Sequence, residues 1–178
     1  GLIVDSVCER LLWSRCAILV IDRQKALTRV EAVSDHDTQM IEQVGLGWDL
    51  ATSPALNALN LKSPVILSSD DEHKRFKNHH EFASKHGLHT SIYIPLSSRD
   101  IDGNEMVMTV SAREKINAMS VDLEALGTIS HLISISVEKF NLFETEKHRN
   151  SKLRELIDRN SQTIAGVIAG SKLSDTVK

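Results

Sequence analysis

The chain has 178 residues, of which 41% are hydrophobic and 25% charged, a balance that supports one globular core with an appendage and excludes disordered and collagen-like classes. Its 24 acidic against 21 basic residues leave a formal charge of −3, so no overall basic field exists to attract nucleic acid or anionic lipid. Few aromatic residues and three prolines argue against a base-stacking surface and leave room for long uninterrupted helices.

Two cysteines, Cys8 and Cys16, are too few for a disulfide framework, which points to the reducing cytoplasm. No apolar stretch approaches the roughly 18–20 residues of a membrane span, and no secretory signal profile opens the chain. The start at Gly1 and the polar run from Ser174 to Lys178 lead us to expect a piece of a longer protein.

From Leu2 to Trp13, apolar residues at Leu2, Ile3, Val7, Leu11 and Leu12 recur at helical spacing and predict an amphipathic opening helix. Cys16 to Ile21 is apolar on both alternating faces and rich in β-branched residues, as expected of a central strand covered on both sides. The polar turn Asp22-Arg23-Gln24-Lys25 is short, so the returning strand from Leu27 to Ser34 must be antiparallel. Gly45-Leu46-Gly47-Trp48 reads as a loop. Ser53 before Pro54 predicts a capped short helix, and Pro64 to Ser68 a third strand at an edge.

Asp70 to His86 is charged and histidine-rich, with Phe76 and Phe82 as apolar anchors, and predicts one surface helix stopped by Gly87. Thr90 to Leu96 and Glu105 to Arg113 are two further strands turning around Asp102-Gly103. Ile92, Ile94 and Leu96 share one face with Tyr93 opposite, and Met106, Met108 and Val110 oppose Val107, Thr109 and Ser111. One face of the sheet is therefore apolar and suited to helices, while the other is mixed and suited to a pocket under the 70–86 helix.

Ser120 is placed to cap a final helix with Asp122 and Glu124 in its first turn. Leu123, Leu126, Ile129, Ile133, Val137, Phe140 and Phe143 form one stripe. Beyond the charged run 144–152, Leu153, Ile157, Ile164 and Val167 follow a heptad-like seam with Asn160 in register. A helix of this kind is marginal alone, so Ile133, Val137, Phe140, Leu153, Ile157, Ile164 and Val167 are expected to form a homodimer seam. The expected division is a sensory domain over 1–149 and a helical linker or coiled coil over 150–178.

This order of elements resembles a GAF domain. The most telling residues are Gly87-Leu88-His89-Thr90-Ser91-Ile92-Tyr93-Ile94-Pro95-Leu96, then Asp102-Gly103-Asn104, then Ser120-Val121-Asp122-Leu123-Glu124-Ala125-Leu126 leading into the helix. Pro64-Val65-Ile66-Leu67 is similar to the family's lid-flanking strand. The resemblance covers residues 2 to about 149. It implies an α+β fold: an antiparallel sheet of five to six strands, N- and C-terminal helices on one face, and a lid-covered pocket on the other. It also implies a sensory module that binds small molecules or dimerises and relays through its terminal helices.

The run from Ala112 to Met119 departs from the Asn-Lys and Asp-Glu pattern of cyclic-nucleotide-binding members. Both cysteines precede residue 17, away from the lid where bilin-binding members carry a chromophore cysteine, and none sits where the family's methionine sulfoxide reductases use them. Residues 153–166 are further similar to the dimerisation helix of histidine kinases, with Ile157 where the phosphoacceptor histidine would stand.

The mixed face and the lid nominate Trp48, Ser68, Phe76, His80, Phe82, Ser91, Tyr93, Thr109 and Ser111 as ligand-binding residues, hydroxyls in an apolar wall. Five histidines lie at His73, His79, His80, His86 and His89, and imidazole is a common metal and haem ligand. On one continuous helix, however, His73, Phe76 and His80 share a face while His79 and His86 point elsewhere. No nucleophile elbow, zinc-hydrolase motif or phosphate loop is present.

The expected function is regulatory: a cytoplasmic, non-enzymatic small-molecule-sensing or dimerisation domain of a bacterial signalling or transcription-regulatory protein. Its expected partners are a second copy, a small-molecule ligand and a downstream output domain, with no nucleic acid or membrane. The alternatives are a ligand-free scaffold and a haem or metal sensor built on the lid histidines. The identity of any cofactor is left open.

Overall fold

The computed structural model describes residues 13–35, 44–45, 47–117 and 120–174, and the side chains of these other than 35 and 165–174. The expected opening helix, Cys8 and the side chain of Val167 lie outside them. The chain divides into two compact units, 1–138 and 139–178.

Six strands form one antiparallel sheet: β1 (Arg15–Asp22), β2 (Leu27–Asp35), β3 (Gly47–Asp49), β4 (Val65–Leu67), β5 (Thr90–Arg99) and β6 (Glu105–Ala112), in the order β3-β2-β1-β6-β5-β4. The hairpin β1–β2 and the edge position of β4 are as the sequence predicts. The segment read as a loop at 45–48 instead contributes β3, with Thr28 opposite Trp48. A three-residue strand carries too little alternation to be recognised, and pairing with β2 creates it.

Four helices complete the described chain: α1 (Pro54–Leu61), α2 (Asp70–Lys74), α3 (Lys77–His86) and α4 (Leu123–Ser174), with a 3₁₀ turn at Leu50–Thr52 before α1. Ser53 occupies the N-cap of α1 but its side chain makes no capping bond; Pro54 at the first turn helps set the start instead. At α4 the cap is Asp122, whose carboxylate accepts the Ala125 N–H at 2.9 Å, while the Ser120 hydroxyl donates to the Asn117 carbonyl. Asp122 thus takes the role expected of Ser120, because α4 begins at Leu123 and the cap must immediately precede it.

Alternation along the strands sorts the core into two faces. Cys16, Ile18, Val20, Ile92, Ile94, Met106, Met108 and Val110 pack with Leu126 and Ile133 of α4. Ala17, Leu19, Ile21, Val30, Tyr93 and Val107 pack on the opposite side with Ala55 and Ala58 of α1. Ile133 is thus part of the domain core, and Val137 packs against that core, so neither belongs to an open helix face. The sheet sides assigned from β5 and β6 agree with this division.

Gly87 ends α3 in the left-handed conformation at φ 64°, and its N–H closes onto Ser84. An added Cβ there would meet open space, so only backbone strain opposes a side chain. Gly87→Ala is expected to lower stability by about 1 kcal/mol in urea unfolding. An unchanged midpoint would show that the turn relaxes without cost.

Candidate functional site

The site lies on the sheet face opposite α4, and a break in the lid creates it. Ser69 opens α2 with a capping box: its hydroxyl accepts the Glu72 N–H, and the Glu72 carboxylate accepts the N–H groups of Ser68 and Ser69 at 2.8 and 2.9 Å. Those bonds hold the Glu72 carboxyl below its ordinary range. One turn later the helix stops, and Phe76 at φ −121° and ψ 86° resets the chain before α3. In a continuous helix His73 and His79, six positions apart at about 100° each, would diverge. The break turns both inward, which corrects the expectation of a single 70–86 helix with His79 facing away.

The two imidazoles stack at 4.9 Å between centroids and join a directional hydrogen-bond chain. The His89 carbonyl can only accept, so His73 Nε2, 3.2 Å away, must carry a proton. His73 Nδ1 is then the acceptor for His79 Nε2 at 2.9 Å, and His79 Nδ1 accepts the Tyr93 hydroxyl proton at 2.7 Å. Every ring nitrogen of the pair is used, with both rings neutral.

Burial chiefly enforces that neutrality. It pushes His79 down to about 3, with the charges of His73, Arg15 and His80 acting in the same direction. Burial also lowers His73, partly opposed by its carbonyl contacts. The Tyr93 hydroxyl is raised far above its usual value by burial, with Arg15 pulling the other way.

Beside this relay lies a hollow of about 430 Å³, open solvent at its mouth included. Leu19, Trp48, Pro54 and Phe82 give it apolar walls; Arg15, Thr28, Asn78, His79, Tyr93 and Thr109 bring polar groups. Trp48 and Phe82 meet edge to face, and the Arg15 guanidinium stands 5.1 Å over the Phe82 ring. Arg15 is 3% exposed although it carries a full charge. The Thr28 hydroxyl, sealed from water, meets no hydrogen-bond partner among the described residues.

Of the residues nominated from sequence, Trp48, Phe82, Tyr93 and Thr109 line the cavity. The other five are placed elsewhere. Ser91 and Ser111 bond each other across β5 and β6 at 3.0 Å, and Ser68 serves the Glu72 cap. Phe76 packs into the core beneath the lid, and the His80 N–H bonds back to the Phe76 carbonyl. Sequence reasoning missed Arg15, Thr28, Asn78 and His79. Arg15 was within reach: extending β1 by one residue puts it in phase with Ala17 and Leu19 on the mixed face.

The GAF-domain family model matches residues 2–137, more than two thirds of the chain. The chain belongs to the GAF family. No curated protein matches it. Among solved structures, it is similar to the phycocyanobilin-bound GAF domain of a cyanobacterial phytochrome, with TM-score 0.59, 16% identity, and coverage of 78% of this chain and 82% of that one. It is also similar to the GAF domain of a two-component sensor histidine kinase from Bacillus halodurans, with TM-score 0.60, 16% identity, and coverage of 80% and 95%. A third similar structure is the GAF domain of a phosphoenolpyruvate-protein phosphotransferase from Coxiella burnetii, with TM-score 0.63, 13% identity, and coverage of 81% and 83%.

In this GAF domain no group of three metal-ligating side chains assembles among the described residues. His73 and His79 are committed to each other and to the relay, which weighs against a metal or haem site built on them. Among the described residues, no helix is long and apolar enough to cross a membrane.

Proposed function

We propose that this GAF domain is a cytoplasmic, non-catalytic sensory module of a bacterial signalling protein, whose cavity takes a small molecule and whose α4 passes occupancy to an output domain. The observation that carries this reading is the cavity beside the relay, where the buried Thr28 hydroxyl meets no partner among the described residues. A core that merely fills space rarely leaves such a group unsatisfied, because the omission costs about 1–3 kcal/mol. A ligand signals only if it binds two packings of the domain with different affinity. Leu126 and Ile133 tie α4 to the sheet that also forms the cavity floor, giving occupancy a packed route to that helix.

Native mass spectrometry of protein purified from cells is the test. A retained small molecule, lost on Phe82→Ala, is the expected result. A persistently empty protein that acquires nothing from cell extract would favour the scaffold reading.

The second unit supports a homodimer. Phe140, Leu153, Ile157 and Ile164 are all about half to two thirds exposed, an apolar seam that a single helix does not bury. Ile164→Asp is expected to halve the molar mass seen by light scattering at micromolar concentration, and an unchanged mass would exclude this seam.

A further inference from the structure

We infer that Ser134 is the positioning residue of α4: by accepting the Ser97 N–H of β5, its hydroxyl fixes where the helix sits on the sheet and makes β5 the strand through which the cavity acts on it. This role rests on the sensing function proposed above, since it concerns the helix that would carry the output.

The donor is available because β5 leaves its ladder. Pro95 pairs with Val107 and Arg99 with Glu105, so Leu96, Ser97 and Ser98 stand against Met106 alone. Such a bulge leaves backbone groups unpaired and bends the strand that carries it. The Ser97 N–H meets Ser134 Oγ instead, at 3.1 Å.

The acceptor is equally defined. A serine inside a helix commonly returns its proton to the preceding turn, and Ser134 donates to the Ser130 carbonyl at 2.9 Å. With that proton spent, the hydroxyl offers β5 its lone pairs. Ser134 is 1% exposed, so water does not compete for them. Thr128, Ser130 and Ser136 make similar returns, to the carbonyls of Glu124, Gly127 and Leu132, but among the described residues none of these three hydroxyls bonds to a strand.

The rest of this contact is apolar. Leu126, Ile129, Ile133 and Val137 pack toward the sheet, and burial of such a stripe is non-directional, so it defines the axial placement of a helix only weakly. A hydrogen bond holds only within a narrow range of distance and angle. The strand that donates it also carries Tyr93 to the cavity wall, so a displacement of β5 at the cavity pulls on Ser134.

Amide exchange and methyl NMR on the full chain, without added ligand, test this. In Ser134→Ala the Ser97 amide is expected to exchange at least about tenfold faster than in the parent. Ser130→Ala, which removes a neighbouring helix bond and leaves the one to β5, should keep Ser97 exchange within about twofold of the parent. If Ser134→Ala does not fold, Ser134→Cys decides, because sulfur is a weaker acceptor of similar shape and should give an acceleration of about threefold. Unchanged Ser97 exchange in the variant that folds would overturn the positioning role, as would equal acceleration in Ser130→Ala.

Transmission is read from Tyr93→Phe, which keeps the ring and removes the hydroxyl at the cavity. It should shift the Ile133 methyl signals in the parent and shift them less than half as far when Ser134 is also replaced. No shift, or the same shift in both backgrounds, would overturn transmission through β5. Mass spectrometry reports occupancy alone: a retained ligand beside any of these failures would leave the sensing function standing without this contact, and an empty protein beside the expected exchange would leave Ser134 holding α4 in a scaffold.

Discussion

Acidification from about pH 7 to about pH 5 is expected to cost this domain about 2 kcal/mol through His79 alone. The folded state holds His79 down to about 3, against an ordinary value of 6.5. Between those values the unfolded chain binds a proton that the folded chain refuses, so stability falls as pH falls. His73 is lowered as well and adds in the same direction. The Glu72 carboxyl is also lowered, but its contribution is lost as pH falls through and below the ordinary value of 4.5, beneath this window. Urea unfolding at three pH values checks the slope. In His79→Gln, whose amide can accept from Tyr93 and donate to His73 without titrating, the dependence above about pH 5 should fall by more than half. A slope equal to that of the parent would place the titration elsewhere.

Replacing Ile92 by Ala is expected to remove about 3 kcal/mol, the middle of the range for deleting a buried aliphatic side chain. Ile92 is 0% exposed and sits in β5 opposite Val110, among the residues that receive Leu126 and Ile133 of α4. Sheet and helix both contribute to the walls around it, so collapse into the space is restricted and the cavity cost is retained. Ile92→Val should cost only about 1 kcal/mol. Equal losses in the two variants would indicate a site that repacks freely. Because Tyr93 points to the other face, Ile92→Ala should leave the affinity of any cavity ligand nearly unchanged at temperatures where the protein is folded.

The relay and the cavity share His79 and Tyr93. A ligand that alters the water access of this pair therefore changes the pH response, and the steepness of the acid transition serves as an indirect reading of occupancy. The lid is attached to the sheet through the same bonds, since α2 and α3 supply the two histidines and β5 supplies the tyrosine and follows directly on the His89 carbonyl.

How much of the molecule could be read in advance follows from the range of the interactions involved. The alternation in β5 and β6 correctly separated Ile92, Ile94 and Met108 from Tyr93 and Thr109, because a strand's period is a local property of its backbone. The same local rule led to Tyr93 and Thr109 as cavity residues, while Phe82 was nominated from the lid helix and Trp48 from a segment read as a loop. It failed for Ser91 and Ser111, which face the correct side but satisfy each other across the strands, a matter of register rather than of period.

The sequence by itself determined the antiparallel strand succession, the two-faced sheet, the left-handed stop at Gly87 and the GAF kinship, since each depends on neighbours a few positions apart or on the order of elements. Tertiary structure alone decided that the lid breaks at Phe76, that Asp122 rather than Ser120 caps α4, and that Arg15 and His79 come together beside Tyr93. Those outcomes depend on what the opposite wall offers: a helix continues or breaks according to the burial it gains, and a charge or imidazole is tolerated inside only where distant segments supply its partners.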